Sequence, residues 1–133
     1  MKKGYSVNLE KETQNNEDFR RVLYTGEHSQ LVLMCLQPGG DIGEEVHAHL
    51  DQFFRFESGE GIVLVNEAEY KVADGSCAIV PAGANHNVTN TSKTEKLKFY
   101  TIYSPPEHID KTIRHAKADA LAEPEEYDGK PTE

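Results

Sequence analysis

Residues 75–90 read GSCAIVPAGANHNVTN, and this stretch alternates between strand-forming residues and residues that break a strand. The short apolar run at its start is interrupted by Pro81 and Gly83. Proline lacks the backbone N–H that a sheet needs, and glycine accepts turn conformations that other residues avoid. A second run, with two β-branched residues, begins around His86. The stretch therefore predicts a strand, a tight turn and a second strand with a histidine at its start.

The segments on both sides continue this pattern from about residue 19 to residue 104. β-Branched and aromatic residues fill the short runs, and Gly, Pro, Asn, Asp and Ser separate them. No segment in this range has the period of an amphipathic helix. We therefore predict an all-β sandwich, barrel or jelly roll. A helix is expected only within KTIRHAKADALAE, residues 111–123, where Pro124 would end it.

The length of the chain, 133 residues, suits one domain with a substantial core. We predict a single domain over residues 1–133, with a barrel core at about 19–104 and a C-terminal extension at 105–133. Cys35 and Cys77 both lie in apolar runs. With only two cysteines and no secretion signal, we expect buried free thiols rather than a disulfide.

The formal net charge of −9 excludes two classes of partner. Nucleic acid and anionic membrane surfaces both require a basic face, and the chain has no basic stripe or stacking aromatics beside lysines. No apolar run approaches the roughly 20 residues of a membrane span. The two lysines near the N-terminus are not followed by the apolar core of a signal peptide. We therefore expect a cytoplasmic protein.

Residues 39–61, GGDIGEEVHAHLDQFFRFESGEG, concentrate groups that can bind a metal. In an extended strand, positions 45, 47 and 49 share one face because side chains alternate. A lone histidine on a strand is more often a surface or hydrogen-bonded residue than a ligand. We assign that ordinary role to His28, His108 and His115.

The spacing within residues 75–90 matches a known family motif. Gly75, Pro81, Gly83, His86 and Asn90 are separated by five, one, two and three residues. This resembles the second motif of the cupin family at every fixed position.

The first cupin motif has its counterpart upstream. That motif runs Gly, five residues, His-x-His, three or four residues, Glu, six residues, Gly. Gly39, Glu45, His47, Gln52 and Gly59 reproduce the spacing, with Glu45 replacing the first histidine and Gln52 replacing the glutamate. With its flanking strands, the likeness covers about residues 19–104, and the chain resembles a small single-domain bacterial cupin.

A second alignment of the first motif remains open. His47 and His49 also form a His-x-His pair, but only two residues separate it from Gln52, and the leading glycine would fall on Asp41. We favour Glu45 and His47 as the strand pair and keep His49 as an additional or substitute ligand.

The resemblance implies a double-stranded β-helix, or jelly-roll barrel, with a short, partly helical C-terminal tail. It also implies a divalent metal held by Glu45, His47, Gln52 and His86, with His49 as a further candidate. Mixed nitrogen and oxygen donors with vacant positions suit Mn, Fe or Ni, and Zn less well. Glu45 is also the candidate catalytic base.

Two functions follow from this resemblance. The first is a metal-dependent enzyme that acts on a small polar substrate, sugar-like or a hydroxy or keto acid, by isomerase, lyase or dioxygenase chemistry. The second is a module that binds or senses a small ligand around a structural metal; the fold hosts both. Single-domain cupins commonly pair through barrel edges, so we expect a homodimer.

The sequence after Tyr103 resembles the tail of small cupins often labelled mannose-6-phosphate-isomerase-like. We predict that this tail lies over the barrel or a partner subunit and narrows access to the metal. The sugar-phosphate label has weak support, because a phosphate site needs an Arg or Lys cluster and the candidates are only Arg55 and Lys98.

Overall fold

The computed structural model describes all 133 residues and contains ten strands and two short helices. The strands are β1 (Arg20–Thr25), β2 (Gln30–Leu36), β3 (Glu45–Val46), β4 (Asp51–Ser58), β5 (Glu60–Val65), β6 (Ala68–Ala73), β7 (Cys77–Val80), β8 (Asn85–Asn90), β9 (Leu97–Ser104) and β10 (Ile113–Arg114). The helices are α1 (Leu9–Asn15) and α2 (Lys117–Ala122). Neither helix has the length and apolar character needed to cross a bilayer.

The strands form two antiparallel sheets that face each other. One sheet has the order β10-β1-β2-β9-β4-β7 and the other the order β3-β8-β5-β6. Consecutive strands therefore alternate between the sheets over much of the chain, as in a jelly roll. The predicted all-β jelly-roll barrel is confirmed.

The apolar core lies between the two sheets, because side chains alternate along each strand. In β4, Phe54 and Phe56 point inward and are fully buried, and Phe99 of β9 packs against both. Burying such a side chain contributes roughly 1.5 to 3 kcal/mol.

Two residues of the recognised motifs have structural roles. Asn90 is fully buried, and its Nδ2 donates to the carbonyl oxygens of Leu36, Gln37 and Glu95 at 2.8 to 3.1 Å. Gly59 has a φ of +89°, and a Cβ there would approach the Lys96 carbonyl oxygen to 2.4 Å. Both residues therefore have roles in the local backbone structure.

The N-terminal segment contains a helix that the sequence analysis did not predict. The Asn8 side chain accepts a hydrogen bond from the Lys11 N–H and caps α1. The helix packs on the outer face of the six-stranded sheet, where Leu33 and Cys35 are buried. At seven residues, α1 is too short to show a clear apolar period.

The C-terminal helix is shorter than predicted. Residues 113–114 instead form β10, which pairs with β1, so that α2 begins only at Lys117. The helix ends before Pro124, as expected.

Both cysteines are free thiols, as predicted, but only Cys35 is buried. Burial of Cys77 was a wrong prediction. Cys77 lies in the edge strand β7 at a position whose side chain faces outward, since the inward positions are Ala78 and Val80.

Candidate metal site

Glu45, His47 and His86 converge at one end of the barrel interior. One ligand atom from each lies within 4.8 Å of the others. The pairing of β3 with β8 places Glu45 directly opposite His86. His47 follows two residues later on the same side, and its ring centroid lies 5.2 Å from that of His86.

The turn between β7 and β8 holds these residues together. The Gly83 N–H donates to the His47 carbonyl oxygen at 2.8 Å, and the Ala82 N–H donates to Asp51 Oδ1 at 2.9 Å. The Pro81–Gly83 turn of one motif is thus bonded to the strand of the other. This explains why the two stretches of sequence form a single site.

Each of the two histidines has a ring nitrogen that forms no hydrogen bond and could bind a metal. His86 is buried, and its Nδ1 lies 3.0 Å from the Ala84 carbonyl oxygen, so Nδ1 carries the proton and Nε2 retains its lone pair. His47 Nε2 lies 2.9 Å from Glu45 Oε2, yet their relative orientation does not form a hydrogen bond and Nε2 has no hydrogen-bond partner. The contact is a close ion pair between two atoms that can each bind a cation.

Charges within the cluster shift the pKa values of His47 and Glu45. Burial alone would lower the pKa of His47, but the Glu45 and Glu107 carboxylates outweigh it and raise that pKa. Burial alone would raise the pKa of Glu45, but His47 outweighs it and lowers that pKa. Since metal ligands must be deprotonated, a cation would compete with the proton held by this pair.

The buried side chain of Gln52 also has an oxygen without a hydrogen-bond partner. The residue is 2% exposed, and its Nε2 donates to Thr101 Oγ1 at 3.0 Å, which leaves Oε1 without a hydrogen-bond partner. Tyr103, its cross-strand neighbour on β9, packs edge-on against His47. Leaving a buried acceptor unsatisfied costs about 1 to 3 kcal/mol, which a bound cation would offset.

His49 lies outside the cluster. Strand β3 ends at Val46, and His49 is exposed on the turn that follows. The expected strand alternation therefore extends from Glu45 to His47 but not to His49, because no strand continues that far. The role of the other residues as metal ligands stays a prediction.

The cluster borders a cavity of about 200 Å³ that the C-terminal tail helps to enclose. From the barrel side, Arg20, Ile42, Glu45 and His47 line it. The tail contributes Glu107, His108, Lys117, Ala120, Leu121, Pro124 and Glu125. Phe19, just before β1, also lines the cavity.

A chain of hydrogen bonds joins the tail to the barrel. His108 Nδ1 lies 2.8 Å from Glu125 Oε1, and His108 Nε2 lies 3.2 Å from the Tyr103 hydroxyl. Burial lowers the pKa of His108 despite the nearby Glu125, and burial raises the pKa of Tyr103. The neutral tautomer therefore donates from Nδ1 to Glu125 and accepts from Tyr103 at Nε2.

Sequence reasoning missed four residues at the cavity: Arg20, Glu107, His108 and Glu125. Only His108 had been singled out, with the ordinary hydrogen-bonded role that its contacts match. None of the four belongs to a motif, and no local spacing brings the tail to β1.

The two candidates for phosphate binding lie away from the cavity. Arg55 Nε lies 3.1 Å from Glu57 Oε1, on the same strand. Lys98 Nζ donates to the Gln14 carbonyl oxygen and to Glu17. Neither side chain lines the cavity, so it has no Arg and Lys cluster built from these residues.

Comparison with known proteins identifies relatives of the whole fold. Residues 32–103 match the family described as Cupin domain. The Bacillus subtilis protein YrkC is 45% identical over 126 residues, which cover 90% of this chain and 67% of YrkC. The Acanthamoeba polyphaga mimivirus protein L612 is 44% identical over 107 residues, which cover 78% of this chain and 67% of L612.

A solved structure extends the likeness to the tail. The Bacillus halodurans protein BH2720 has 44% sequence identity and a TM-score of 0.88, over 91% of this chain and 96% of its own. The family match runs from β2 to β9 and includes both motifs and all of Glu45, His47, Gln52 and His86. The two antiparallel sheets and the hydrogen bonds between the two motif segments agree with that match. This chain therefore belongs to the cupin family.

Proposed function

We propose that this protein is a divalent-metal-dependent enzyme that acts on a small polar substrate bound in the cavity. The observation that carries the proposal is the convergence of Glu45, His47 and His86 beside that cavity. Gln52 Oε1 fits a metal because it is a buried acceptor without a hydrogen-bond partner, and the close pair of His47 Nε2 and Glu45 Oε2 offers two further ligand atoms.

The donor set favours a particular group of ions. Glu45, His47, Gln52 and His86 would hold the metal through one carboxylate oxygen, two imidazole nitrogens and one amide oxygen. Such mixed donors without thiolate suit Mn, Fe or Ni, with Zn also possible. When bound, the ion would polarise a carbonyl or hydroxyl oxygen of the substrate.

The pKa values of two carboxyl groups beside the cavity are shifted in opposite directions. Burial raises the pKa of Glu107 and the Glu45 carboxylate adds to this effect, while His47 opposes it. The pKa of Glu45 is lowered, as described above. Environments that push two neighbouring pKa values apart are typical of an acid and base pair. Glu45 would accept a proton from the substrate and Glu107 would return one, as in isomerase or lyase chemistry.

Glu107 favours an enzyme over a non-catalytic ligand-binding module. A structural metal needs no second titratable group, whereas proton transfer at two substrate positions does. Glu107 Oε2 lies 3.7 Å from His47 Nδ1, so it adjoins the cluster without belonging to it.

The first test is the metal content of purified protein, measured by inductively coupled plasma mass spectrometry. We expect about one divalent ion per chain in the wild type and its loss in His86→Ala. His28→Ala, which changes an exposed histidine, should retain the ion. Metal-free wild type whose thermal unfolding is unchanged by added metal or chelator would refute the proposal.

The second test is turnover. Metal-loaded protein is incubated with small hydroxy acids, keto acids and sugars, and the products are followed by NMR. We expect Glu45→Gln, compared with the wild type at equal metal content because Glu45 is also a candidate ligand, to abolish turnover while keeping ligand binding. Binding without turnover of any compound would favour the ligand-binding or sensing module.

We also propose that the protein forms a homodimer through the outer face of the six-stranded sheet. Ile79, Phe53, Ile102 and Leu31 form a cross-strand row over β7, β4, β9 and β2. Helix α1 covers the other part of this face, whereas Ile79 is 65% exposed. A continuous apolar row beside an edge strand is suited to contact with a second copy.

A cytoplasmic location is a further proposal. The Cys77 thiol is exposed and unpaired, which suits a reducing compartment. Fractionation of cells that express a tagged full-length chain would test it, and recovery in a secreted fraction would refute it.

A further inference from the structure

Arg20 is a buried arginine beside the candidate metal site. Its side chain is 10% exposed, and it lines the same cavity as Glu45 and His47. The Nε atom is buried and has no hydrogen-bond partner in the protein. The protein forms no hydrogen bond to this guanidinium, so the donors that face the cavity remain available to a ligand.

The nearest carboxylate does not supply an acceptor. Arg20 Nη1 lies 3.7 Å from Glu125 Oε1, which is beyond hydrogen-bond distance. Glu125 Oε1 already accepts from His108 at 2.8 Å, and Glu125 Oε2 lies 3.4 Å from Arg114 Nη2. Glu125 therefore balances the charge of Arg20 without satisfying its donors.

The electrostatics of the cavity favour a carboxylate over a phosphate. A guanidinium matches a carboxylate through two parallel hydrogen bonds. The Glu45 and Glu125 carboxylates line the same cavity and would repel a dianion more strongly than a monoanion. Lys117 adds little attraction, because its Nζ donates to Asp41 at 2.6 Å.

The size of the cavity also suits a small ligand. A volume of about 200 Å³ lies below the roughly 300 to 1,000 Å³ of pockets for drug-sized ligands. The cavity therefore suits a molecule of few non-hydrogen atoms, with one end on Arg20 and the other at the metal cluster.

We propose that Arg20 binds the carboxylate of the substrate, which is therefore a small hydroxy or keto acid rather than a sugar or a phosphate ester. This inference rests on the proposed function, since it assigns the substrate class of the same site. Arg20 is a binding residue, and the polar oxygen at the other end of the substrate would face Glu45 and His47.

Paired ligands that differ only in charge test the proposal. Lactate and pyruvate are titrated against lactamide and pyruvamide by isothermal calorimetry, with the full-length protein in metal-loaded and metal-free forms. We expect each acid to bind the wild type at least about tenfold more tightly than its amide. Arg20→Gln should remove this preference and leave amide binding unchanged. Arg21→Gln is the matched control, because Arg21 is the exposed neighbour on β1.

A second measurement uses only the wild type, so it tests the proposal even if Arg20→Gln does not fold. The Nε–H NMR signal of Arg20 in the wild type should shift on adding lactate and remain in place on adding lactamide. Equal binding of acids and amides, an unmoved Arg20 signal, or inorganic phosphate binding more tightly than either acid would overturn the proposal. Carboxylate preference at Arg20 in a protein that binds no metal would overturn the proposed enzyme function and leave the Arg20 site standing.

Discussion

At the scale of single residues, the two departures from the family motif define the chemistry of the site. Glu45 stands where a histidine is usual, and it adds a carboxylate opposite His86. Gln52 stands where a glutamate is usual, and it removes one. Compared with the family motif, the two changes keep the number of carboxylates at the site constant. They move the negative charge from β4 to β3. This shift brings the negative charge next to His47, whose pKa it helps to raise against the effect of burial.

Gln52→Glu tests this arrangement. The added carboxylate should tighten metal retention about tenfold or more, because ligand charge strengthens cation binding. In metal-free protein the same change should lower the free energy of unfolding by about 1 to 3 kcal/mol, because a charge is buried without a partner. Chelator competition and urea unfolding measure the two effects. Gln14→Glu, on the exposed face of α1, is the control, and weaker metal retention in Gln52→Glu would contradict the interpretation.

At the scale of elements, the C-terminal tail completes the site. β10 extends the six-stranded sheet beside β1, and the following segment carries Glu125 to His108 and Arg114. Helix α2 has no buried residue, and the contacts of Glu125 with His108, Arg20 and Arg114 help to hold the tail against the barrel. Such contacts depend on charge, which makes the tail sensitive to acid.

The pH dependence of tail docking follows from Glu125. Burial alone would raise its pKa, but the His108 hydrogen bond and the charges of Arg20 and Arg114 outweigh it and lower the pKa below 4.5. A carboxyl group with a lowered folded-state pKa stabilises the fold above its unfolded value of 4.5. That stabilisation is lost as the pH falls through the lowered folded-state pKa.

We therefore expect acid to loosen the tail before the barrel unfolds. Hydrogen exchange near Tyr127, whose N–H donates to the Glu107 carbonyl oxygen, should accelerate as the pH falls below 4.5 after correction for intrinsic rates. Glu125→Gln should show fast exchange already at neutral pH and lose this pH dependence. Glu126→Gln, an exposed neighbour, should behave as the wild type. A wild-type tail whose exchange is unchanged by acid would contradict the role assigned to Glu125.

At the scale of the whole molecule, the six-stranded sheet has two different outer regions. Helix α1 shields Leu33 and Cys35, and the row from Ile79 to Leu31 is left open. The four-stranded sheet also exposes apolar side chains, Val46, Leu64 and Tyr70 among them, but its short edge strand β3 has only two residues, one of which is Glu45.

The proposed dimer is tested by Ile79→Glu. We expect the wild type to have twice the 14.9 kDa chain mass by light scattering after gel filtration. A charge in the apolar row should weaken the dimer at least about tenfold, because burying it without a partner costs several times the thermal energy. Leu64→Glu on the other sheet should leave the mass unchanged. A wild-type monomer at every concentration would refute the dimer.

The sequence by itself predicted the jelly roll and the three residues of the candidate metal cluster. Strand alternation and turn residues are local properties, and the family spacing named Glu45, His47, Gln52 and His86 before any distance was known. The sequence analysis also kept His49 as a candidate ligand, and the structure places it outside the cluster. Local spacing does not reveal where a two-residue strand ends.

Only the tertiary structure decided what surrounds the cluster. Arg20 and Glu125 are 105 residues apart, and the pairing of β1 with β10 brings them to one cavity. Long-range pairing depends on the free energy of the whole packed sheet, and no short stretch of sequence carries that information. The candidate metal ligands are thus visible in two local motifs, whereas the charge and the size of the cavity that faces them emerge only when the tail has folded back onto the barrel.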